Sequence, residues 1–161
     1  MELQPLDILV FDLKWYIPYH WPIAWRSLDA AVHCVIVNSE GKLVSADPGG
    51  IHHQTLDNYE GRDYHHYRYN GTLDRQKILD WLTQTETASG GYDFLHQYIL
   101  GFILGISSKL ADNENYWTCS EICYWAFQDT GHTLTSKDER LPLPRMFKYN
   151  DHFSHISSGR L

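Results

Sequence analysis

The chain is poor in the features that mark several large functional classes. It has 13 lysines and arginines against 20 acidic residues, a formal net charge of -7, and no stretch gathers the basic residues together. A surface that neutralises phosphates needs such a patch, so nucleic acid is not an expected partner. Cysteine is scarce and odd in number, at three. Met1 to Asp7 also lacks the basic start and unbroken apolar stretch of an export signal. Free thiols are therefore expected rather than a disulfide framework, and a cytoplasmic location, with a virion-associated one as the alternative if the chain is phage-encoded. The longest apolar segment, Tyr98 to Ile106, is too short to cross a bilayer and carries helical periodicity, so no membrane span is expected. Gly49-Gly50 is not followed by a helix bearing the lysine of a phosphate-binding loop. Neither Cys-x-x-Cys nor His-Glu-x-x-His spacing occurs. The adjacent pairs His52-His53 and His65-His66 send their rings to opposite faces of a strand, so no metal or other cofactor is expected. The ten histidines leave the charge balance sensitive to mild acid.

What the chain does contain is a 43% hydrophobic share spread over 161 residues, enough to fill one core, so residues 1–161 read as a single domain. Ile8 to Phe11 reads as a short strand leading into an irregular, aromatic and proline-rich loop from Trp15 to Trp25. That loop could line a cleft for a sugar or an acyl chain, or cap the core. Ala30 to Val37 and Lys42 to Asp47 form the clearest hairpin, joined by Asn38-Ser39-Glu40-Gly41. Pro48-Gly49-Gly50 ends the return strand, a polar loop follows, and alternating aromatics make Tyr64 to Tyr69 a further strand. Beyond Thr72 the spacing turns helical. Leu73, Ile78, Leu79 and Leu82 predict a helix that Ser89-Gly90-Gly91 stops; a second follows from about Asp93 to Ile106, and a third runs from near Cys119 to before Gly131. The tail after Pro142 reads as irregular cover or a last strand. The expected class is α+β, an antiparallel sheet or half-barrel packed against about three helices.

The richest segment chemically is Trp117-Thr118-Cys119-Ser120-Glu121-Ile122-Cys123. Thr118 followed three residues later by Glu121 is a capping box, which makes Thr118 the N-cap and puts Cys119 at the first helical position. Unpaired N–H groups and the positive end of the helix dipole there favour a thiolate, and the same groups can donate to an oxyanion. Cys119 is the candidate nucleophile; a small buried cysteine at a helix start is the plainer alternative. Cys123, one turn on, and Cys34, within a strand, read as core residues.

A thiolate needs a base, and His33 is the titratable side chain that breaks the pattern of Ala31-Val32-His33-Cys34-Val35-Ile36-Val37. Alternation puts His33, Val35 and Val37 on one face and Cys34 and Ile36 on the other. If Ser39-Glu40-Gly41 is a three-residue turn with its glycine left-handed, Asn38 pairs with Lys42 and His33 lies opposite Asp47. Asp47 is then one candidate to orient the imidazole, and Ser45, diagonal on that face, is the other.

These segments together resemble the circularly permuted papain-like amidohydrolases, the rearranged branch of the NlpC-type cell-wall peptidases. Leu6-Asp7-Ile8-Leu9 is similar to that family's first strand, and Val32 to Val37 to its histidine strand. Val44-Ser45-Ala46-Asp47-Pro48-Gly49-Gly50-Ile51 resembles its return strand, Tyr92-Asp93-Phe94 its second-helix start, and Thr118-Cys119-Ser120-Glu121 its nucleophile helix. The likeness spans residues 5 to 131. It implies a permuted papain-like fold in which Cys119 is the nucleophile, His33 the base, and Ser45, about a dozen positions after the histidine, the third residue. Serine departs from the stronger acceptor usual there, and Asp47 is the substitute at hand.

The resulting expectation is a cysteine hydrolase that cleaves an amide through a Cys119 acyl-enzyme. By resemblance its substrate is a peptidoglycan stem peptide or another small peptide-like amide. A lipid or thioester acyltransferase using the same residues is the enzymatic alternative. A non-catalytic binding or virion-structural module that keeps the fold is the other, and Ser45 is the residue in its favour.

Overall fold

A computed structural model describes residues 1–17, 20–47, 50–88, 117–132, 134 and 142–161. The β-branched and aromatic runs of the first half build strands β1 (Ile8–Asp12), β2 (Ala31–Val37), β3 (Leu43–Asp47), β4 (Gly50–Gln54) and β5 (Asp63–Tyr69); β6 (Phe153–Arg160) comes from the tail. Every neighbouring pair is antiparallel, in the order β4-β3-β2-β1-β5-β6. Helices α1 (His20–Ser27), α2 (Arg75–Ala88) and α3 (Cys119–Gln128) complete an α+β architecture, with short 3-10 helices at Leu56–Tyr59 and Pro144–Lys148.

The β2–β3 hairpin has the expected register. Asn38 donates its N–H to the Lys42 carbonyl at 2.9 Å, Gly41 is left-handed at φ 77°, and Val37 and Ile36 pair with Leu43 and Val44. The Asn38 side chain also accepts from the Glu40 and Lys42 N–H groups, each at 2.9 Å, which locks the turn.

Two elements differ from the sequence expectation, and the alternative left open for the tail is decided. The segment read as an irregular aromatic loop contains α1; Pro22 is tolerated because it lies in the first turn, where an N–H has no intrahelical acceptor. The segment read as a polar loop after Gly50 is β4, which turns straight back along β3, Asp47 pairing with Gly50 and Leu43 with Gln54. The tail resolves into β6, paired with β5 from Asp63–Arg160 to Tyr69–Phe153. The helix expected from about Asp93 to Ile106 lies outside the described residues, as does the stop at Ser89-Gly90-Gly91.

Alternation along the strands divides the core between the two faces of the sheet. Ile8, Val10, Cys34, Ile36, Val44, Ala46 and Tyr67 face α2, α3 and the Pro144–Lys148 turn, meeting Ile78, Leu82, Ile122, Phe127 and Phe147. Leu9, Phe11, Val35, Val37 and Leu43 face the other way and are closed by Tyr59, Leu56, Leu3 and Leu161. Each fully buried Leu, Ile or Phe side chain stabilises by roughly 1.5–3 kcal/mol, so the α-helical face is the heavier anchor. It is the face against which α3 packs. Among the described residues no helix is long and apolar enough to cross a membrane.

Candidate active site

Helix α3 starts as its capping box dictates. Thr118 Oγ1 accepts from the Glu121 N–H at 3.1 Å, and the Glu121 carboxylate accepts in return from the Thr118 N–H at 3.1 Å. The Ile122 N–H goes to the Thr118 carbonyl. These caps leave the N–H groups of Cys119 and Ser120 as the first-turn donors they do not take. Ser120 Oγ donates to the Pro142 carbonyl at 2.8 Å and ties the helix tip to the chain that follows.

Cys119 is buried but retains 8% exposure, whereas Cys34 and Cys123 retain none. All three are free thiols. The Cys119 sulfur accepts a hydrogen bond from the Cys34 thiol, which, against the effect of burial, holds its own thiol well below the ordinary range; the positive charge and hydrogen bond of His33 and the Cys34 backbone N–H act in the same direction. Cys34 moves the opposite way. Burial pushes its thiol well up, and its hydrogen bonds to Cys119 and Cys123 add to that. Cys34 thus stays a protonated donor beside a cysteine poised as thiolate.

Residues 33 and 34 point to opposite faces of β2, yet both reach one sulfur. This is possible because the β2–β3 ladder is formed at Ile36–Val44 and Val37–Leu43 and, among the described residues, does not continue toward Cys34. On the other side the β1–β2 register shifts between Phe11 and Asp12. The ladder gives way at this end, and α3 packs against both β2 and β3.

His33 is half-buried. Its Nε2 lies 3.1 Å from Ser45 Oγ and 3.2 Å from the Tyr59 hydroxyl. With Nε2 so engaged, Nδ1 is the ring nitrogen left for Cys119. The ring is stacked near Tyr59 (centroids 5.8 Å, 23°) and Phe11 (6.2 Å, 26°). The structure therefore brings together Cys119, His33 and Ser45. Asp47 sits on β3 in backbone pairing with Gly50, and its side chain lies outside what is described.

Two contributors were not legible in the sequence reading. Cys34 is a core residue, as its apolar strand face predicts, but its hydrogen bond to Cys119 has no sequence signal. Tyr59 reaches His33 across 26 residues from a loop whose one signal, Thr55 with Asn58 three residues on, marks only a short helical turn. The adjacent histidine pairs are dispersed among separate partners: His53 with Glu86 at 2.9 Å, His65 with Asp12 at 3.2 Å and His66 with Asp7 at 2.7 Å. Among the described residues no three His, Cys, Asp or Glu side chains are grouped to hold a metal ion.

No protein-family model matches the chain, and no curated protein matches it. Among solved structures the chain is similar to one described as metalloprotein yiiX from Escherichia coli O157:H7, with a TM-score of 0.67, 13% sequence identity and coverage of 100% of both chains. At that identity the likeness is one of fold alone.

Proposed function

We propose that this protein is a cysteine hydrolase that forms a Cys119 acyl-enzyme on a peptide-like amide, with His33 as its base. The observation that carries the reading is the single sulfur at the first position of a capped helix, hydrogen-bonded to an imidazole and held well below the ordinary thiol range. The Cys119 thiolate attacks the carbonyl carbon and forms the C–S bond; the N–H groups of Cys119 and Ser120 receive the oxyanion. The C–N bond then breaks as His33 passes its proton to the leaving amine. Water, deprotonated by His33, cleaves the thioester to a carboxylic acid and restores the thiol. Peptidoglycan stem peptides are the substrate class that the family resemblance supplies.

A second acyl donor, a lipid ester or thioester, is favoured by one feature. Trp15, Tyr16, Trp21 and Trp25 on and before α1 are all more than half exposed, and α1 packs against β2, the strand that carries His33. Exposed aromatic side chains on and before an element that packs against the His33 strand suit an apolar chain better than a polar peptide.

The test is alkylation of Cys119 by iodoacetamide across pH, read by mass spectrometry, together with trapping of the acyl-enzyme from labelled muropeptides and labelled lipids. Thiolate formation well below neutral and a trapped Cys119 adduct support the enzyme, and the adduct identifies the donor. Ordinary thiol titration at Cys119 would instead favour a binding role for the fold.

A further inference from the structure

The third member of the constellation is read from sequence as Ser45 or Asp47; Ser45 does reach the ring, and a second hydroxyl, that of Tyr59, meets the same nitrogen. We propose that Tyr59, itself held by Gln54, is the positioning residue that keeps the His33 proton on Nε2 and so presents Nδ1 to Cys119.

The argument is a count of protons. The Tyr59 hydroxyl donates to Gln54 Oε1 in a short hydrogen bond. A phenol has one proton, so toward His33 Nε2, 3.2 Å away, the same oxygen can only accept. Nε2 must then carry hydrogen. Were it bare, two acceptors would face each other in a part-buried site, an arrangement that leaves a polar group unsatisfied and is disfavoured. Ser45 Oγ, at 3.1 Å from the same nitrogen, can accept or donate and adapts to either tautomer, so it cannot choose between them. Tyr59 with Gln54 behind it can choose.

The position of the Tyr59 hydroxyl is over-determined, as such a role needs. Its ring lies flat on Phe11, centroids 4.2 Å apart and planes 3° apart, and Phe11 is the residue opposite His33 in the β1–β2 pair. The Arg62 guanidinium covers both rings, 4.8 Å from the Phe11 centroid and 5.6 Å from that of Tyr59. Tyr59 closes the 3-10 helix Leu56–Tyr59, whose start is fixed by Asn58 Oδ1 accepting from the Thr55 N–H at 2.8 Å. Gln54 is the last residue of β4, set by its pairing with Leu43. The titratable and charged groups around the imidazole are thus Cys119 from α3, Cys34 from its own strand, His20 from α1, and Tyr59 and Arg62 from the segment before β5. All partners of Nε2 in this set are neutral oxygens, which orient the ring more than they stabilise its charge.

This inference rests on the Cys119–His33 reading for its meaning in catalysis, but its first test does not need activity. In a Cys119→Ala background, ring nitrogen NMR of His33 above its titration should show the Nε2–H tautomer. Tyr59→Phe, which keeps the stacked ring and removes only the hydroxyl, should mix the tautomers, as should Gln54→Leu. Gln54→Glu, whose carboxylate still accepts from Tyr59, should recover the single form. With Cys119 intact, Tyr59→Phe should raise the pH at which iodoacetamide labels Cys119 and slow acylation by on the order of tenfold or more, with KM little changed and the thermal midpoint retained. An unchanged tautomer in both Tyr59→Phe and Gln54→Leu overturns the assignment, while a low alkylation pH in the parent protein would leave the hydrolase reading standing. Conversely, the Nε2–H tautomer with ordinary Cys119 titration keeps the assignment and sinks the hydrolase reading.

Discussion

His33 and His66 lie on the same face of the same sheet, two strands apart, and their surroundings divide the work of the molecule. His66 is 1% exposed, and its Nε2 meets the Asp7 carboxylate at 2.7 Å. Asp7 is held in turn by Arg68 through two hydrogen bonds, each of 2.8 Å. A buried carboxylate, a bidentate guanidinium and one nitrogen of an imidazole satisfy one another, while His66 Nδ1 is buried without a hydrogen-bond partner among the described residues. His33 instead touches two neutral hydroxyls on one nitrogen and a sulfur poised as thiolate on the other side. On the proposed hydrolase reading, the histidine with the stronger partner is the structural one. A carboxylate beside a buried histidine would then be a poor marker of chemistry here, and a pair of hydroxyls beside the Cys119 sulfur the better one.

The largest expected effect sharpens that contrast. His33→Ala should slow acylation of Cys119 by about 10²–10⁴-fold while leaving the thermal midpoint close to that of the parent. His66→Ala should do the reverse, lowering the midpoint and leaving the acylation rate of the folded fraction intact. Rates of adduct formation by mass spectrometry, paired with thermal unfolding of each variant, separate the two. Equal loss of acylation in both would erase the distinction.

Next in size is Asp7→Ala, which strands Arg68 and leaves His66 without its acceptor. Breaking a buried pair by removing one partner costs about 3–5 kcal/mol, so the urea midpoint should fall steeply. Asp7 is 1% exposed, and no water can substitute cheaply. Asp7→Asn, which keeps the shape and part of the hydrogen bonding, should fall between.

These two sites also differ in how far the sequence announces them. Thr118, Glu121 and Cys119 are legible because a capping box is local chemistry: four consecutive residues decide where the helix begins. The β2–β3 register is legible for the same reason, since Asn38 to Gly41 fix the turn and with it the alternation that sets His33 and Ser45 on one face. Whether Ser45 or Asp47 meets the ring was not decidable from register alone, because the β2–β3 ladder gives way before it reaches that level. Tyr59 and Cys34 were hidden for a different reason. One arrives from a distant loop, and the other makes its contact where the ladder gives way, which alternation does not encode. The α1 helix is obscured by Pro22 in its first turn, and β4 by Pro48-Gly49-Gly50, which in sequence reads as a stop although β4 begins at Gly50. Asp7 was read as part of a first-strand pattern, and only the β1–β5 pairing, which seats Leu9 against His66, reveals what it holds.

Acid should distinguish the regions in two stages. Burial, and then the positive charges of Arg62, His33 and Lys14, push His20 down to about 3, so it stays neutral in the folded protein. Its contribution is complete above its ordinary 6.5 and declines as pH falls from there toward 3, because the unfolded chain takes up the proton first. For Asp7 burial acts upward, but hydrogen bonds from Arg68, His66 and the Gln4 N–H prevail and bring it down to about 2. That contribution, about 2 kcal/mol from the size of the shift, is present above about 4 and is lost as pH falls through 2. Thermal midpoints measured from pH 7 to 2 should therefore decline in an early and a late phase. His20→Asn, which keeps an acceptor for the Lys14 N–H, should remove the early phase alone.

The smallest effect is expected where the same chemistry is exposed. Arg160 grips Asp63 through two hydrogen bonds of 2.8 and 2.7 Å, a geometry as good as that between Arg68 and Asp7. Both side chains are more than half exposed, at 67% and 51%, so water already solvates each charge and salt screens their attraction. The pair joins β5 to β6 at a place where seven residues of backbone pairing already hold the strands. Asp63→Asn should shift the thermal midpoint by no more than the scatter of the measurement, and added salt should not change that result. A loss approaching that of Asp7→Ala would mean that bidentate geometry rather than burial sets the strength of these pairs, and the contrast between the two ends of the sheet would have to be redrawn on that basis.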